Sequence, residues 1–303
     1  MPPHCGRCLG AGERLSGQIV ARAFALGVAL AAAVAAMCGV DDACAQDAAA
    51  IAPRACGGEA IADSTVARIE DGRTLTLADG RQVRLAGIEV PPLPLPLPQQ
   101  TDPAPGGKAA RAALDALAGG DRVVLRGSET GPDRYGRLTA YAYTERDGDE
   151  IFVQGELIAA GYARVGDRVA GRACATALLA REAAARRGKL GLWADPYYDL
   201  IEAGTPAAVL AQRGRFALVE GTVVSVRESG PTIYVNFGQR WSEDFSVTVR
   251  KRNERSFTDA GLNLRGLEGR RVIVRGFVEA RGARHMPSIE AERPEQIETA
   301  DRK

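Results

Sequence analysis

Histidine is nearly absent from this 303-residue chain, which contains only His4 and His285. Zinc sites built from several histidines and Ser-His-Asp catalysis both need this side chain, so the composition argues against both. The chain also lacks a dominant charge, with a formal net charge of +1. Tight, non-specific nucleic-acid binders carry a strong positive charge, and the composition does not favour that class.

The first 45 residues are predicted to direct export. A polar segment with three arginines precedes an uninterrupted apolar run, AFALGVALAAAVAAMCGV, at residues 23–40. The segment DACAQ, residues 42–46, then fits the small-x-small pattern of a cleavage site. These features predict a signal peptide at 1–45 and a periplasmic or secreted protein with no membrane span after cleavage. The alternative is an uncleaved anchor, since eighteen apolar residues just span a bilayer.

Cysteine becomes scarce once the presequence is removed, because four of the six cysteines lie within it. Cys56 remains at the start of the folded region, and Cys174 remains in a predicted helix. An exported protein enters an oxidising compartment, so we expect a disulfide between them; the alternative is two unpaired buried thiols. In the chain-entropy model a crosslink closing so long a loop stabilises the fold by about 4 kcal/mol.

The length of the mature chain favours two domains. We predict an N-terminal segment at 46–63, a first domain at 64–204, a linker at 205–214 and a second domain at 215–303.

The first domain is predicted to contain three strands, a helix, two strands and two helices, in that order. Two Asp-Gly turns separate runs with partial alternation at 64–90, which predicts three antiparallel strands. Two further strands follow a first helix, and two more helices close the unit. The helices are predicted at 108–120, 153–161 and 173–188. The fold class is therefore mainly β with α (α+β), with a five-stranded barrel and three helices against it.

Proline is concentrated in one segment, PPLPLPLPQQTDPAPGG, at residues 91–107. Alternate prolines exclude a central strand and a helix interior, so we predict an extended, polyproline-like loop. It is either a stiff surface connector or a motif that binds a protein partner.

The second domain carries five strand candidates at regular spacing, which predict a small five-stranded OB-like barrel. If Ile233, Val235 and Phe237 face inward, Tyr234 faces outward. An outward tyrosine is a candidate stacking platform, and the alternative is an aromatic that packs in the core or between domains. The basic loop RKRNER supplies the candidate phosphate contacts Arg250, Lys251 and Arg252.

Five segments of the first domain together resemble the thermonuclease family, the secreted staphylococcal-type nucleases and their tudor-associated relatives. They are DGRTL, VRLAGIEVP, DRYGRLTAYAY, QGELIAAGYARV and GLW, in this order between residues 64 and 195. The resemblance implies a staphylococcal-nuclease-like OB-type barrel. Through YVNFGQRWSEDFSV and RPEQIE, the second domain resembles the barrel attached to thermonuclease-like proteins of Gram-negative bacteria.

The resemblance also implies a hydrolytic site. Enzymes of this family hold one Ca²⁺ with carboxylates and a backbone oxygen, use a glutamate as general base, and clamp the phosphate with two arginines. The two arginines correspond to Arg84 and Arg137, which are the candidate catalytic and binding residues. The metal ligands present are Asp71, Glu89 and the carbonyl of Val90.

Two positions depart from the family pattern. Arg73 stands where a metal-binding carboxylate is expected, and Pro92 stands where the general base is expected. The proline-rich segment offers only Asp102 as a replacement base. Loss of a general base typically costs ~10²- to 10⁴-fold in rate. These departures argue against a bound Ca²⁺ and against full activity.

Three functions follow from these observations. The first is a degenerate thermonuclease-family protein that binds nucleic acid, or another anionic ligand, weakly and in a salt-sensitive way. The second is an active Ca²⁺-dependent endonuclease, cleaving DNA or RNA, with a displaced base. The third is an envelope module that binds a peptide or protein partner through the proline-rich loop. The residues favour the first.

Overall fold

The computed structural model of the protein describes five stretches of the chain. They are residues 55–94, 104–128, 132–240, 242–282 and 286–299. The predicted signal peptide, the first part of the N-terminal segment and the middle of the proline-rich loop, with Asp102, lie outside the described residues. Trp241 and His285 lie outside them as well.

The first barrel is closed by five strands. Their order is β3-β2-β1-β5-β6, and β3 also pairs with β6, in parallel, to close the ring. The strands are β1 (Ala60–Asp71), β2 (Thr74–Leu77), β3 (Gln82–Leu85), β5 (Arg122–Gly127) and β6 (Leu138–Arg146). Leu75 and Leu77 share the inner face and are buried. The predicted five-stranded barrel is confirmed.

Three helices pack against this barrel, as predicted. They are α1 (Gly107–Ala118), α2 (Val153–Ala159) and α3 (Arg172–Arg187), each within two residues of its predicted bounds. A glycine follows shortly after each of them, which agrees with the predicted helix stops.

Three short strands beside the first barrel differ from the predictions, because two were not predicted and one is the separated end of the predicted third strand. Strand β7 (Asp149–Phe152) returns from β6 through a turn at Asp147 and Gly148, both with positive φ. This is a third Asp-Gly hairpin, which the polar run ERDGDE concealed. The other two, β4 (Ile88–Glu89) and β8 (Arg164–Val165), pair with each other and bring the loop after β8 beside Glu89.

The second barrel repeats the strand order of the first. Its path runs β11-β12-β13-β15-β14-β10, with β13 and β15 parallel, and β10 continues directly into β11 along the chain. Both barrels therefore have the 1-2-3-5-4-1 connectivity. The strands are β10 (Phe216–Thr222), β11 (Ser225–Ser229), β12 (Thr232–Asn236), β13 (Ser246–Arg250), β14 (Arg271–Arg281) and β15 (Met286–Glu290). Helix α5 (Glu254–Asp259) follows β13.

Three details of the second barrel differ from the predictions. The fifth predicted strand is broken by a 3-10 helix (Pro294–Gln296), because proline cannot donate to the ladder, and it resumes as β16 (Ile297–Thr299). The sheet also begins earlier than predicted, with β9 (Ile201–Glu202) parallel to β10. The predicted linker is ordered: it forms α4 (Pro206–Leu210), whose Val209 is buried because it packs into the core of the second barrel.

The two barrels are joined by a buried charge cluster. The Arg275 guanidinium donates to the Glu182 carboxylate at 2.7 Å and to the Val165 carbonyl at 3.0 Å, and it also pairs with Glu298. Arg275 and Glu182 are each 1% exposed. Removing one partner of such a buried pair typically costs ~3–5 kcal/mol.

A disulfide ties the start of the described chain to α3. Cys56 and Cys174 are bonded with their Cα atoms 4.7 Å apart, and both are fully buried. The Tyr143 hydroxyl donates to the Cys56 carbonyl at 2.7 Å. The predicted disulfide is confirmed, and the alternative of two unpaired thiols is wrong.

Candidate functional site

The turn between β1 and β2 holds Asp71, the first residue of the predicted metal site. The Asp71 carboxylate accepts a hydrogen bond from the backbone N–H of Arg73 at 2.8 Å. Gly72 lies between them, and a Cβ there would come within 2.7 Å of the Ala110 Cβ on helix α1. The short Asp-Gly turn therefore fits under the helix and starts β2 at a fixed point.

Arg73 faces Glu89 across the hairpin. The Leu85 N–H donates to the Arg73 carbonyl at 2.8 Å, which places Arg73 beside β3. From there the Arg73 guanidinium forms an ion pair with the Glu89 carboxylate and lies 3.4 Å from the Ile88 carbonyl. The Arg73 and Glu89 side chains are only 18% and 12% exposed. The charge of Glu89 is therefore neutralised at short range by Arg73.

Arg84 lies in the same place but is held less tightly. Its guanidinium is 3.8 Å from the Glu89 carboxylate and 30% exposed. Burial lowers the pKa of Arg84, and the positive charges of Arg73 and Arg137 lower it further, although it remains a cation. Arg84 is thus one of three clustered cations, and Glu89 already has a closer partner.

Arg137 has its own carboxylate. Its Nε donates to the Asp133 carboxylate at 2.7 Å, and the backbone N–H groups of Tyr135 and Arg137 donate to the same side chain. Burial acts to raise the pKa of Asp133, but these hydrogen bonds, led by that of the Arg137 side chain, hold it below its usual value. Asp133 orients Arg137 at the rim of the site.

All of these charged side chains except that of Asp71 line one cleft, with a volume of about 610 Å³. Gly87 lies at its floor with φ +74°, and a Cβ there would come within 3.2 Å of the Tyr141 hydroxyl. Only glycine combines that backbone conformation with that close approach. Six arginines and three acids line the cleft, so it carries an excess of positive charge. They are Arg73, Arg84, Arg134, Arg137, Arg168 and Arg293, with Glu89, Asp133 and Asp167.

Asp167 is a lining residue that sequence reasoning missed. It follows β8, and the β4–β8 pairing brings that loop beside Glu89. Burial raises the pKa of the Asp167 carboxyl, and the negative charge of Glu89 raises it further. Its segment, RVGDRVAG, carries no pattern that distinguishes it from an ordinary loop, so the sequence offered no signal.

Aromatic side chains lie at the edges of the cleft. Tyr135 is 67% exposed, and the guanidinium carbons of Arg134 and Arg137 lie 4.8 and 5.1 Å from its ring centroid. Phe277 of the second barrel also lines the cleft and is 41% exposed. Tyr141, in contrast, is buried in the floor, and its hydroxyl accepts from the Ala170 N–H at 2.8 Å.

Val90 stands at the predicted position of the backbone metal ligand, and Pro92 stands at the predicted position of the general base. Val90 is buried, and Pro92 is exposed beside α1. Pro92 has no proton-accepting side chain. Among the parts of the chain that the structure describes, no group of three or more His, Cys, Asp or Glu side chains lies close enough to hold a metal ion. Two carboxylates that already accept hydrogen bonds from Arg73 do not fit Ca²⁺, which takes six to eight oxygen ligands.

The predicted site residues of the second barrel do not reach the cleft. Ile233, Val235 and Phe237 are buried, as predicted, and Tyr234 is half-buried on the other face. Two of the polar residues around Tyr234 are buried. Asn236 and Thr248 are 6% and 2% exposed, because the outer face at these positions is covered rather than free.

The basic segment that begins at the last residue of β13 is largely ion-paired. Arg250 donates to Glu290 at 2.7 Å, and Lys251 lies 2.6 Å from Glu228. Arg252 is exposed. The ion pairs leave Arg250 and Lys251 less available to a phosphate than the sequence suggested, although each remains partly exposed.

The closed barrel with its 1-2-3-5-4-1 connectivity defines an OB-type domain. Residues 82–195 match the family model of staphylococcal nuclease homologues, so this part of the chain is a thermonuclease-like domain. Such a domain indicates nucleic-acid binding or a nuclease-type function. The match includes Arg84, Glu89 and Arg137 and begins after Asp71 and Arg73.

No curated protein matches the chain. The kinship of the second barrel with barrels of Gram-negative thermonuclease-like proteins stays a prediction. No helix among the described residues is long and apolar enough to cross a membrane.

Proposed function

We propose that this chain is an exported protein that binds nucleic acid, or another phosphate-bearing anion, in the arginine-lined cleft. In this proposal it hydrolyses phosphodiester bonds weakly or not at all. The observation that carries the proposal is the ion pair between Arg73 and Glu89. It puts a guanidinium at Glu89, one of the carboxylates that a thermonuclease would use for its metal.

The proposed loss of hydrolysis has two causes: the positive charge of Arg73 at the metal position, and the missing general base at Pro92. The Arg73 guanidinium paired with Glu89 repels a divalent metal and uses an acceptor that the metal needs, and the Asp71 carboxylate already accepts a hydrogen bond from the Arg73 backbone N–H. Pro92 removes the general base, which alone costs ~10²- to 10⁴-fold in rate. The two changes remove different parts of the chemistry, so restoring one of them is not sufficient.

The arginines that line the cleft support the proposed binding of a phosphate-bearing ligand. Glu89 already has Arg73 as its closest partner, so Arg84 keeps much of its charge for a ligand, and its guanidinium is 30% exposed. The planar guanidinium suits a phosphate in two-point contact. With six arginines against three acids in the cleft, we expect binding that weakens as salt rises.

A displaced-base nuclease is the second candidate, and Asp167 is the observation that favours it. The carboxyl lies in the cleft with Arg84, and burial raises its pKa, as suits a group that takes up a proton. This candidate predicts Ca²⁺-dependent cleavage that a chelator abolishes and that disappears in Asp167→Asn. The peptide-binding alternative has no comparable support, because its loop lies mostly outside the described residues.

Export is the remaining part of the proposal. The sequence of residues 1–45 has the order of a signal peptide, and a buried disulfide suits an oxidising compartment. N-terminal sequencing of the protein from a periplasmic or culture-medium fraction tests it. A mature N-terminus near Gln46 is the expected result, and full-length protein in the reducing cytoplasm would contradict it.

The decisive experiment measures binding and cleavage on the same preparation. We expect the wild type to bind labelled single-stranded DNA or RNA at low salt, to lose affinity at physiological salt, and to show no turnover with Ca²⁺ or with chelator. Robust Ca²⁺-dependent turnover by the wild type would overturn the degenerate site. Absence of any salt-sensitive binding would overturn the binding function.

A gain-of-function variant tests whether the fold still supports catalysis once the missing metal ligand and general base are restored. The double substitution Arg73→Asp with Pro92→Glu restores a ligand and a base at the two departing positions. We expect it to gain metal-dependent cleavage, with each single substitution well below the double. Arg270→Asp, which changes an exposed arginine outside the cleft, is the matched charge control.

A further inference from the structure

We propose that the second barrel completes the cleft and that Phe277 is a stacking surface for a base of a single-stranded nucleic-acid ligand. The phosphates of that ligand would lie on the arginines of the first barrel. The inference rests on the proposed function and deepens it, because it names the part of the ligand that the arginines cannot recognise.

Phe277 is an unusual residue for its position. It lies on β14 of the second barrel, yet it lines a cleft whose other lining residues, except Arg293, come from the thermonuclease-like domain. It is 41% exposed, one of five large hydrophobic side chains exposed among the described residues. The lining of the cleft combines apolar side chains with six arginines and three acids. An exposed aromatic ring in a cationic cleft suits a ligand that combines an aromatic base with a phosphate.

One side of the Phe277 ring packs against another aromatic ring. Phe216, opposite it on β10, contacts it edge-on, with ring centroids 5.5 Å apart at an interplanar angle of 78°. Phe216 is itself buried, and the Arg164 guanidinium lies 5.0 Å from its centroid. The Phe277 ring is therefore braced on one side and exposed on another, the arrangement that a stacking platform needs.

The wall that carries Phe277 is fixed to the loop after β8. The Arg293 guanidinium donates to the Val169 carbonyl at 3.0 Å, and Arg168 lies 3.4 Å from Glu292. Val169 and Arg168 line the cleft beside Asp167. Two contacts between the barrels thus hold the cleft wall, and the position of Phe277 relative to the arginines is set before a ligand arrives. Such pre-organisation reduces the entropy lost on binding.

The class of ligand follows from size and charge. The cleft volume of about 610 Å³ is in the range of small-ligand sites, which suits one or two nucleotides. A base can stack on a side chain only when it is not stacked in a duplex, so a single strand is favoured over double-stranded DNA. A neutral peptide would cover the six arginines without compensating their charge, at a cost in desolvation.

The test compares two probes on the full chain. One is a labelled short oligothymidylate, and the other is an abasic phosphodiester strand of the same length and charge. We expect the wild type to bind the oligothymidylate more tightly. Phe277→Ala should weaken that binding by about 5- to 150-fold, the range of one lost base–aromatic stack. It should change binding of the abasic strand by less than about twofold.

Two further variants test whether the effect of Phe277→Ala comes from the loss of an aromatic face in the cleft. Phe277→Trp keeps an aromatic face and should retain the preference for the base-bearing strand. Val224→Ala removes an exposed apolar side chain of the same barrel that does not line the cleft, and should leave both affinities unchanged. Equal thermal unfolding of all variants shows that Phe277→Ala is folded.

The outcomes separate this inference from the function on which it rests. If the wild type binds both strands equally and Arg84→Ala weakens both, the anion site stands and the Phe277 platform is overturned. If Tyr234→Ala removes the base preference while Phe277→Ala does not, the ligand lies on the outer face of the second barrel and the inference is also overturned. If the wild type binds neither strand, both proposals fall.

Discussion

Arg275 of the second barrel and Glu182 of helix α3 form an ion pair at 2.7 Å that is almost completely buried. The two side chains also hold the backbone of Val165 from both sides: Glu182 accepts from its N–H at 2.8 Å, and Arg275 donates to its carbonyl at 3.0 Å. Val165 pairs with Ile88, the residue before Glu89. The second barrel is thus connected through hydrogen bonds to the strand that carries the centre of the cleft.

The buried pair predicts a large loss of stability when it is broken. Arg275→Met leaves the Glu182 carboxylate buried without its cation, and we expect a loss of ~3–5 kcal/mol in the free energy of unfolding. Adding Glu182→Gln should recover part of that loss, because the unpaired charge is removed. Urea unfolding measures both. Arg271→Met, which breaks an exposed pair with Glu202, is the control, with an expected change under about 1 kcal/mol. A similar loss in the control would show that burial of the pair is not the cause.

The disulfide predicts a second, independent loss of stability. Cys56 and Cys174 are 118 residues apart, so the bond restricts a long loop of the unfolded chain. Replacing both with alanine should lower the free energy of unfolding by ~2–5 kcal/mol. Reductant should lower the stability of the wild type by a similar amount and leave that of the double variant unchanged. A response of the double variant to reductant would mean that the effect does not come from this bond.

Much of the fold was predictable because it is encoded locally. Asp-Gly turns and alternating apolar residues predicted β1 to β3, and glycine stops predicted the ends of three helices. The polar hairpin at Asp147 and Gly148 was missed because its flanking residues do not alternate. The order of the predicted linker was not predictable, because Val209 packs into the second barrel and the Gly214 N–H donates to the Val278 carbonyl, contacts that no local pattern specifies.

The candidate site was predictable in its hairpin and, through the family pattern, at Arg137. Arg73, Arg84 and Glu89 are brought together by pairing between neighbouring strands, which spacing along the chain encodes. Asp167 and Phe277 enter the cleft through contacts between distant segments: the β4–β8 pair for the first, and the packing of two barrels for the second. No local pattern specifies such contacts, so these residues could not be predicted from the sequence.

The arginines predict a specific salt dependence. Arg84→Ala should weaken binding of single-stranded DNA by about tenfold or more and reduce the slope of log affinity against log salt by ~0.7, the contribution of one phosphate contact. Arg84→Lys should restore the slope but only part of the affinity, because an ammonium does not make the two-point contact of a guanidinium. Arg270→Ala, at an exposed arginine outside the cleft, should change neither quantity. An unchanged slope in Arg84→Ala would mean that Arg84 does not contact a phosphate.

Asp167 predicts a pH dependence of binding with a definite sign. Burial and the charge of Glu89 raise the pKa of this carboxyl in the folded protein above the unfolded value of about 3.9. Below the raised pKa Asp167 is neutral, and above it the carboxylate repels a phosphodiester. Affinity for an oligonucleotide should therefore fall as pH rises through the raised pKa. Asp167→Asn should remove this step and bind about 2- to 10-fold more tightly than the wild type at neutral pH.

The same raised pKa predicts the direction of a stability change. Between the unfolded pKa and the raised folded pKa, the folded state binds more protons than the unfolded state, so stability falls as pH rises through that window. Asp167→Asn removes this loss, and its stability relative to the wild type should increase from acid to neutral pH. Urea unfolding across that range measures it. Asp199→Asn, at an exposed carboxylate outside the cleft, is the matched control. A constant difference between Asp167→Asn and the wild type across the range would contradict the raised pKa and, with it, the electrostatic role of Asp167 in the cleft.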